Sequence, residues 1–309
     1  MAATSTDRPP LAPRTWPSWI GIGALVALAW LPWPLQRALG RGLGAALRRL
    51  LHSRREIAAR NLALSLPELD GAAREALLIA HFDALGIGVF EFARAWWGSI
   101  APLRRGLYIE GLEHLQAARA GGRGVIVISG HFTTLEVCGR LLCDHVPLAG
   151  MYRPYPQPAM EWAVLRGRAR YAAAMFAKQD VRGAVRHLKR GGLLWYAPDQ
   201  DPSRGDSVYV PFFGQPAHSL TSTHQLARLS GAAVVLFEHA RMDDGSYRLR
   251  LWPAFDGFPS GVRLKRRWIH RYCAGAARTM VSMPAITRAV SVAASFEGKS
   301  PNAGNSFRV

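Results

Sequence analysis

From Thr15 to Gln36 the chain carries no formal charge and is almost wholly apolar, reading TWPSWIGIGALVALAWLPWPLQ. Pro17, Pro32 and Pro34 confine its helical part to roughly 18–31, because proline interrupts the hydrogen-bond ladder of a helix interior. That is about 14 residues, short of the ~20 that cross bilayer hydrocarbon. Trp16, Trp19, Trp30 and Trp33 stand at its two ends, as aromatic side chains do at a membrane interface. The segment reads as a membrane-inserted or interfacial helix; an apolar helix packed on the core is the alternative. Residues 36–66 follow as an amphipathic helix ending at Leu66-Pro67, and 71–100 as a second helical region. In the latter, Phe82, Leu85, Phe90, Phe92, Trp96 and Trp97 form a stripe of the kind that packs into a core.

From Gly124 the pattern changes. GVIVIS (124–129) is a short β-branched apolar run, the mark of a strand buried on both faces of a parallel sheet. PLAGMY (147–152), LLWYAP (193–198) and AVVLFEH (233–239) repeat that texture, and SYRLRLW (246–252) alternates as an antiparallel edge strand does. Helical segments are expected between them at 133–144, 157–173, 180–190 and 219–230. This alternation predicts an α/β fold with a mostly parallel central sheet flanked by helices. Ligands in such sheets bind at the carboxyl ends of the strands.

Composition narrows the class. With 49 % hydrophobic residues in 309, the chain has the apolar surface for a real core, which excludes a disordered protein. Three Cys cannot form a disulfide framework at this size, and there are not the several long apolar runs of a polytopic membrane protein. The net charge of +18 points to an anionic partner, but it is unevenly spread. Residues 37–60 hold seven Arg against Glu56 and contribute +6; residues 261–309 hold nine Lys or Arg against Glu297 and contribute +8. The rest is close to that of an ordinary soluble domain. The basic run directly behind the apolar helix suits an anionic cytoplasmic leaflet. The chain therefore divides into an anchor helix (1–36), a folded body (37–260) and an atypical basic tail (261–309). A nucleic-acid-binding module is the rival use of such charge, but it would interleave Lys and Arg with aromatics on one folded face.

The segment Ile128-Ser129-Gly130-His131-Phe132-Thr133-Thr134-Leu135-Glu136 closes the first buried strand. Gly130 suits a tight turn, and Thr133 or Thr134 a helix N-cap. On one continuous helix His131 and Glu136 would lie about 140° apart, so they meet only across a loop-to-helix junction. There the spacing points to an imidazole oriented by a carboxylate, a base able to take a proton from an attacking hydroxyl. Alternatively His131 caps the helix and Glu136 is solvated.

SGHFTTLEVCGRLL resembles the catalytic block of the lipid A late acyltransferases, the lauroyl/myristoyl group of the lysophospholipid acyltransferase-like superfamily. The resemblance continues through EFARAWW, Met151-Tyr152-Arg153-Pro154, Arg166-Gly167-Arg168, Trp195-Tyr196-Ala197-Pro198-Asp199-Gln200-Asp201, Val210-Pro211-Phe212-Phe213-Gly214 and the helix of Ala227-Arg228, covering about residues 15–260. It implies an acyltransferase-like fold and transfer of a fatty acyl chain from acyl carrier protein to a Kdo-bearing lipid A precursor, at the cytoplasmic face of a bacterial inner membrane. By this resemblance His131 is the general base and Glu136 orients it. Arg153, Arg168 and Asp199 are the substrate-binding positions. Asp199 would hold Arg168 or another site cation, and Arg168 or the backbone after Gly130 would stabilise the oxyanion. Arg166, Arg170 and Lys178 suit lipid phosphates. A glycerolipid acyltransferase of the same superfamily is the nearer rival.

His218, His224 and His239 are scattered, no Cys-x-x-Cys pair is present, and neither a Walker A loop nor G-x-G-x-x-G appears. No metal, and no cofactor beyond the carried acyl chain, is therefore expected. The helical spacing of Cys138 and Cys143 suits small core residues. After residue 260 the resemblance stops. Trp268-Ile269-His270-Arg271 only echoes the family's Trp-x-His-Arg-Arg-Phe-Lys element, and 274–309 is rich in Ala, Ser and Arg. A frameshifted 3′ end would produce such a composition; a divergent basic tail that binds membrane or acyl carrier protein is the alternative.

Overall fold

Two prolines set the first corner of the molecule. Pro32 separates α1 (Trp16–Ala29) from α2 (Trp33–Leu50), Pro34 stands in the first turn of α2, and side chains bond carbonyls around this corner. Gln36 Nε2 donates to Leu28 O at 2.6 Å, and Arg94 donates to Leu31 O at 2.6 Å, Ser99 O at 2.7 Å and Gln36 Oε1 at 2.8 Å. These observations come from a computed structural model that describes residues 8–199, 207–213, 215–252 and 307–308. The amphipathic stretch expected as one helix over 36–66 is two. It breaks at Leu51, which leaves helical geometry at ψ 65°, and α3 (His52–Ser65) follows.

Arg94 belongs to α4 (Gly71–Trp97), whose Asp70 N-cap accepts from the Ala73 N–H at 2.7 Å. Glycines let α2 and α4 meet backbone to backbone. A Cβ on Gly86 would sit 2.0 Å from Gly40 O, and one on Gly44 2.3 Å from Phe82 O. By length and composition α4 is apolar enough to cross a membrane, yet 61 % of its most apolar window is buried inside the protein, with Phe82, Phe90 and Trp96 in the core. The aromatic stripe is thus a core stripe.

The rest of the chain alternates as expected, with additions. After α5 (Ala101–Arg104) come β1 (Leu107–Glu110), α6 (Leu112–Ala120), β2 (Val125–Ile128), α7 (Leu135–Cys143), β3 (Leu148–Tyr152), α8 (Pro158–Arg168), β4 (Met175–Ala177), α9 (Val181–Lys189), β5 (Leu193–Tyr196), β6 (Ser207–Phe212), β7 (Gln215–Leu220), α10 (Ser222–Ser230), β8 (Ala233–Arg241) and β9 (Tyr247–Leu251). Seven strands form one sheet in the order β1-β9-β8-β2-β5-β3-β4. From β8 to β4 all neighbours are parallel, and β9 runs antiparallel to β8. β9 is antiparallel as its alternation predicted, but β1 covers it in parallel register, so it is not an edge. The strand β1 is short and half-exposed, too weak a pattern to stand out in sequence. Likewise the helix expected over 157–173 stops at Arg168.

Every residue of β2 is buried, and its alternate side chains serve two cores. Ile126 and Ile128 face Leu62, Leu188 and Leu226 of α3, α9 and α10; Val125 and Val127 face Leu115 of α6 and Leu141 of α7. α4 reaches both, with Phe82 in the first and Trp96 in the second. Cys138 lies fully buried in the second, as a small core residue. A separate three-stranded sheet has the order β10-β7-β6, where β10 is Phe307–Arg308. The expectations for 261–309 otherwise lie outside the described residues.

Candidate active site

Parallel register assembles the centre of the site. In the β2/β5 pair Ile128 stands opposite Tyr196, and three residues beyond each strand end come His131 and Asp199. The register that pairs the strands therefore also brings these two side chains together. Asp199 accepts from the His131 backbone N–H at 2.7 Å through Oδ2, and its Oδ1 lies 2.5 Å from His131 Nδ1. A carboxylate only accepts, so Nδ1 carries the proton. Gly130 permits the approach: a Cβ there would meet Asp199 Oδ2 and the Phe132 ring, each at 3.2 Å. The imidazole is 37 % exposed and the carboxylate 16 %, so the pair opens to solvent from the histidine side.

Glu136, in the first turn of α7, lies a turn further from the sheet and faces α4 and α8. Arg168 pairs with it through Nη2 to Oε1 and through Nε to Oε2 at 3.3 Å. Trp96 Nε1 donates to Oε2 at 2.7 Å, and the Tyr171 hydroxyl to the same oxygen at 3.2 Å. Gly167 makes the Arg168 contact possible, because a Cβ there would come within 2.7 Å of Trp96 Cβ and push α8 away from α4. The Arg168 guanidinium also lies over the rings of Trp96 and Tyr152. Burial opposes its charge, but Glu136 outweighs that and holds its pKa above the ordinary arginine value. Burial, reinforced by the same carboxylate, pushes the Tyr171 phenol well above its ordinary value, so both stay protonated at neutral pH.

The sequence reading is corrected at one point. The carboxylate on the imidazole is Asp199, where the spacing had pointed to Glu136. The physical reason is direction: His131 leaves its strand beside the neighbouring strand's end, whereas Glu136 has already turned onto a helix packed against α4 and α8. Asp199 meets the His131 imidazole and not Arg168. Arg153 stands exposed just past β3, at the same end of the sheet. Arg170 donates to Trp96 O at 3.1 Å and helps cap α4, and Arg166 stacks over Trp162 at 4.8 Å. Trp96 and Tyr171 were not singled out from the sequence as site residues. Trp96 looked like core stripe, and Tyr171 carried no local signal. Among the described residues no group of three His, Cys, Asp or Glu is arranged to hold a metal ion.

A sequence-family model described as bacterial lipid A biosynthesis acyltransferase matches residues 4–272. The chain belongs to that family. It is 38 % identical over 252 residues to the lipid A biosynthesis palmitoleoyltransferase of Escherichia coli K12, covering 81 % of this chain and 82 % of that protein. The lauroyltransferase of the same organism is 37 % identical over 245 residues, covering 79 % and 80 %. A lipid A biosynthesis acyltransferase of Haemophilus influenzae is 33 % identical over 240 residues, covering 76 % of each. The chain is thus an enzyme of acyl transfer in lipid A biosynthesis, and the His131–Asp199 and Glu136–Arg168 pairs lie within the matched region.

Proposed function

We propose that this acyltransferase moves a fatty acyl chain from acyl carrier protein to a hydroxyl of a Kdo-bearing lipid A precursor, at the cytoplasmic face of the inner membrane. The observation that carries the mechanism is the solvent-facing imidazole paired with a carboxylate at the carboxyl end of a parallel sheet. With Nδ1 turned to Asp199, Nε2 takes the proton of the acceptor hydroxyl as its oxygen attacks the thioester carbonyl. Asp199 stabilises the imidazolium that forms. The tetrahedral intermediate then collapses, the carbon–sulfur bond breaks, and the imidazolium returns its proton to the departing thiolate. One thioester and one alcohol become one ester and one thiol, with no further co-reactant and no cofactor. Arg168, fixed by Glu136 and Trp96, supplies permanent positive charge for the oxyanion or the acceptor, and the exposed Arg153 supplies it for acceptor phosphate.

The N-terminal helices support the membrane part. Trp16, Ile20 and Trp30 of the α1 region are 60 %, 75 % and 65 % exposed, and Leu35, Leu39, Leu50 and Leu51 continue the apolar exposure alongside Arg41, Arg49 and Arg54. Apolar side chains seat in the acyl boundary, and each basic residue near an anionic leaflet adds about 1 kcal/mol. Detergent–lipid micelles containing the full chain, labelled acyl carrier protein thioester and either a Kdo-bearing lipid A precursor or a lysophospholipid test the reading. Label is expected in the lipid A precursor. Label confined to the lysophospholipid would overturn the acceptor assignment in favour of a glycerolipid enzyme, and transfer only from a coenzyme A thioester would overturn the donor.

A further inference from the structure

We infer that His239 is a positioning residue for acyl transfer, a neutral clamp that ties together the two ends of the loop carrying His131. The inference rests on the proposed general-base role of His131. The loop runs from Ser129 to Thr134, between β2 and α7. His239 on β8 touches both of its ends: Nε2 lies 2.9 Å from Ser129 Oγ, and Nδ1 2.8 Å from Thr134 Oγ1. Its ring also meets Phe132, between those ends, edge-on at 5.0 Å.

The sheet explains the placement. β2 is flanked by β5 on one side and β8 on the other, with Ile128 opposite Tyr196 in the first pair and Leu236 in the second. Three residues beyond that row stand His131, Asp199 and His239. One neighbouring strand thus delivers the carboxylate that meets the imidazole, and the other delivers the side chain that holds the loop from beneath. α4 closes the remaining side, where Gly88 lets the helix approach Thr133 so closely that a Cβ would lie 3.0 Å from its Cβ.

The chemistry suits a static clamp. A neutral imidazole has one N–H and one lone pair, and two hydroxyls, one accepting and one donating, satisfy both. Thr134 stands at the N-cap of α7 yet makes no capping hydrogen bond with its side chain; its hydroxyl meets His239 and also the Cys138 thiol. His239 is fully buried, and burial drives its pKa down to about 3, so it stays uncharged through the range in which His131 works. Because it is enclosed, it acts through the loop and not on substrate. The backbone N–H and the ring of His131 must both meet Asp199, and a misplacement of about 1 Å costs on the order of 100-fold in rate.

His239→Phe keeps a ring and removes both hydrogen bonds. Two measurements follow it in the full chain: amide exchange over 129–134, and kcat and KM for acyl transfer. Exchange in the loop is expected to speed up about tenfold while β5 is unchanged, and kcat to fall about 10- to 100-fold with KM held within about twofold. The triple variant Ser129→Ala, Thr134→Val, His239→Phe leaves no hydroxyl unpaired. It is expected to recover the wild-type Tm without recovering kcat. Recovery of both would overturn the inference and leave His239 a residue of stability alone, as would unchanged loop exchange and kcat in His239→Phe. Should His239→Phe fail to fold, His239→Gln and Thr134→Val carry the same readouts, with smaller losses expected and unchanged values again overturning the inference. If the wild type transfers no acyl group to any acceptor, the proposed function fails, while the exchange measurement still decides whether the clamp exists.

Discussion

The candidate site contains two carboxylates, each paired with a nitrogen side chain, and the pairs differ in how they meet solvent. Glu136–Arg168 is enclosed, with side chains 6 % and 11 % exposed, and is braced by Trp96 and Tyr171. His131–Asp199 is joined at the tips of two strands, with the imidazole 37 % exposed. Arg168 keeps its charge at neutral pH, because the adjacent Glu136 outweighs burial and holds its pKa above the ordinary arginine value. The open pair contains the one group of the two pairs whose ordinary pKa lies near neutrality. On the proposed mechanism, one pair is a fixed electrostatic frame and the other exchanges a proton with the acceptor hydroxyl.

That contrast breaks first at His131. Replacing it with Ala is expected to lower kcat by about 10²–10⁴-fold with little change in Tm, since a partly exposed side chain is lost; a rate within threefold of wild type would end its assignment as the base. Glu136→Ala should do the opposite. It leaves Arg168 buried without its carboxylate and is expected to destabilise the fold by about 3–5 kcal/mol in denaturant titration. Adding Arg168→Met should restore much of that stability but not activity. If Glu136→Ala were as stable as wild type, the enclosed pair would not be a frame.

Asp199→Asn sharpens the comparison further. It keeps the shape but withdraws the charge that stabilises the imidazolium, so kcat should fall about 100-fold with Tm nearly constant, while Glu136→Gln should cost more in Tm than Asp199→Asn does. A separate, pH-dependent effect concerns histidines in neither pair. Burial depresses His81 to about 4 and His239 to about 3, from 6.5. Below pH 6.5 the unfolded chain takes up protons at both positions that the folded chain refuses, so stability falls as pH falls. Between pH 6.5 and about 4 each histidine contributes about 1.4 kcal/mol of loss per pH unit. Denaturant midpoints across that window check the slope, which His81→Phe should reduce by about half.

The legible parts were those with strong local periodicity. The buried runs at 124–129, 147–152, 193–198 and 233–239 all became strands of one sheet, and the apolar stripe of 71–100 became its long core helix. Weak patterns were missed: β1 is short and half-exposed, and the break at Leu51 has no proline or glycine to announce it. At the site, Gly130-His131 after a buried strand and Asp199 after another were both visible as candidates. Their pairing was not, because it depends on β2 and β5 lying side by side, which spacing along the chain does not encode.

The sequence by itself determined the class of fold and the family, and it supplied the two acidic and two basic residues of the candidate site. Residue type and periodicity suffice for that, since burial and proton affinity are properties of side chains. Only the tertiary structure decided which acid serves which base. Strand order put Asp199 on His131, helix packing through Gly167 put Arg168 on Glu136, and the opposite neighbour of β2 put His239 beneath the loop. Contacts between residues 32, 68 and 110 positions apart are set by the register and packing of whole elements, and no local pattern carries that information.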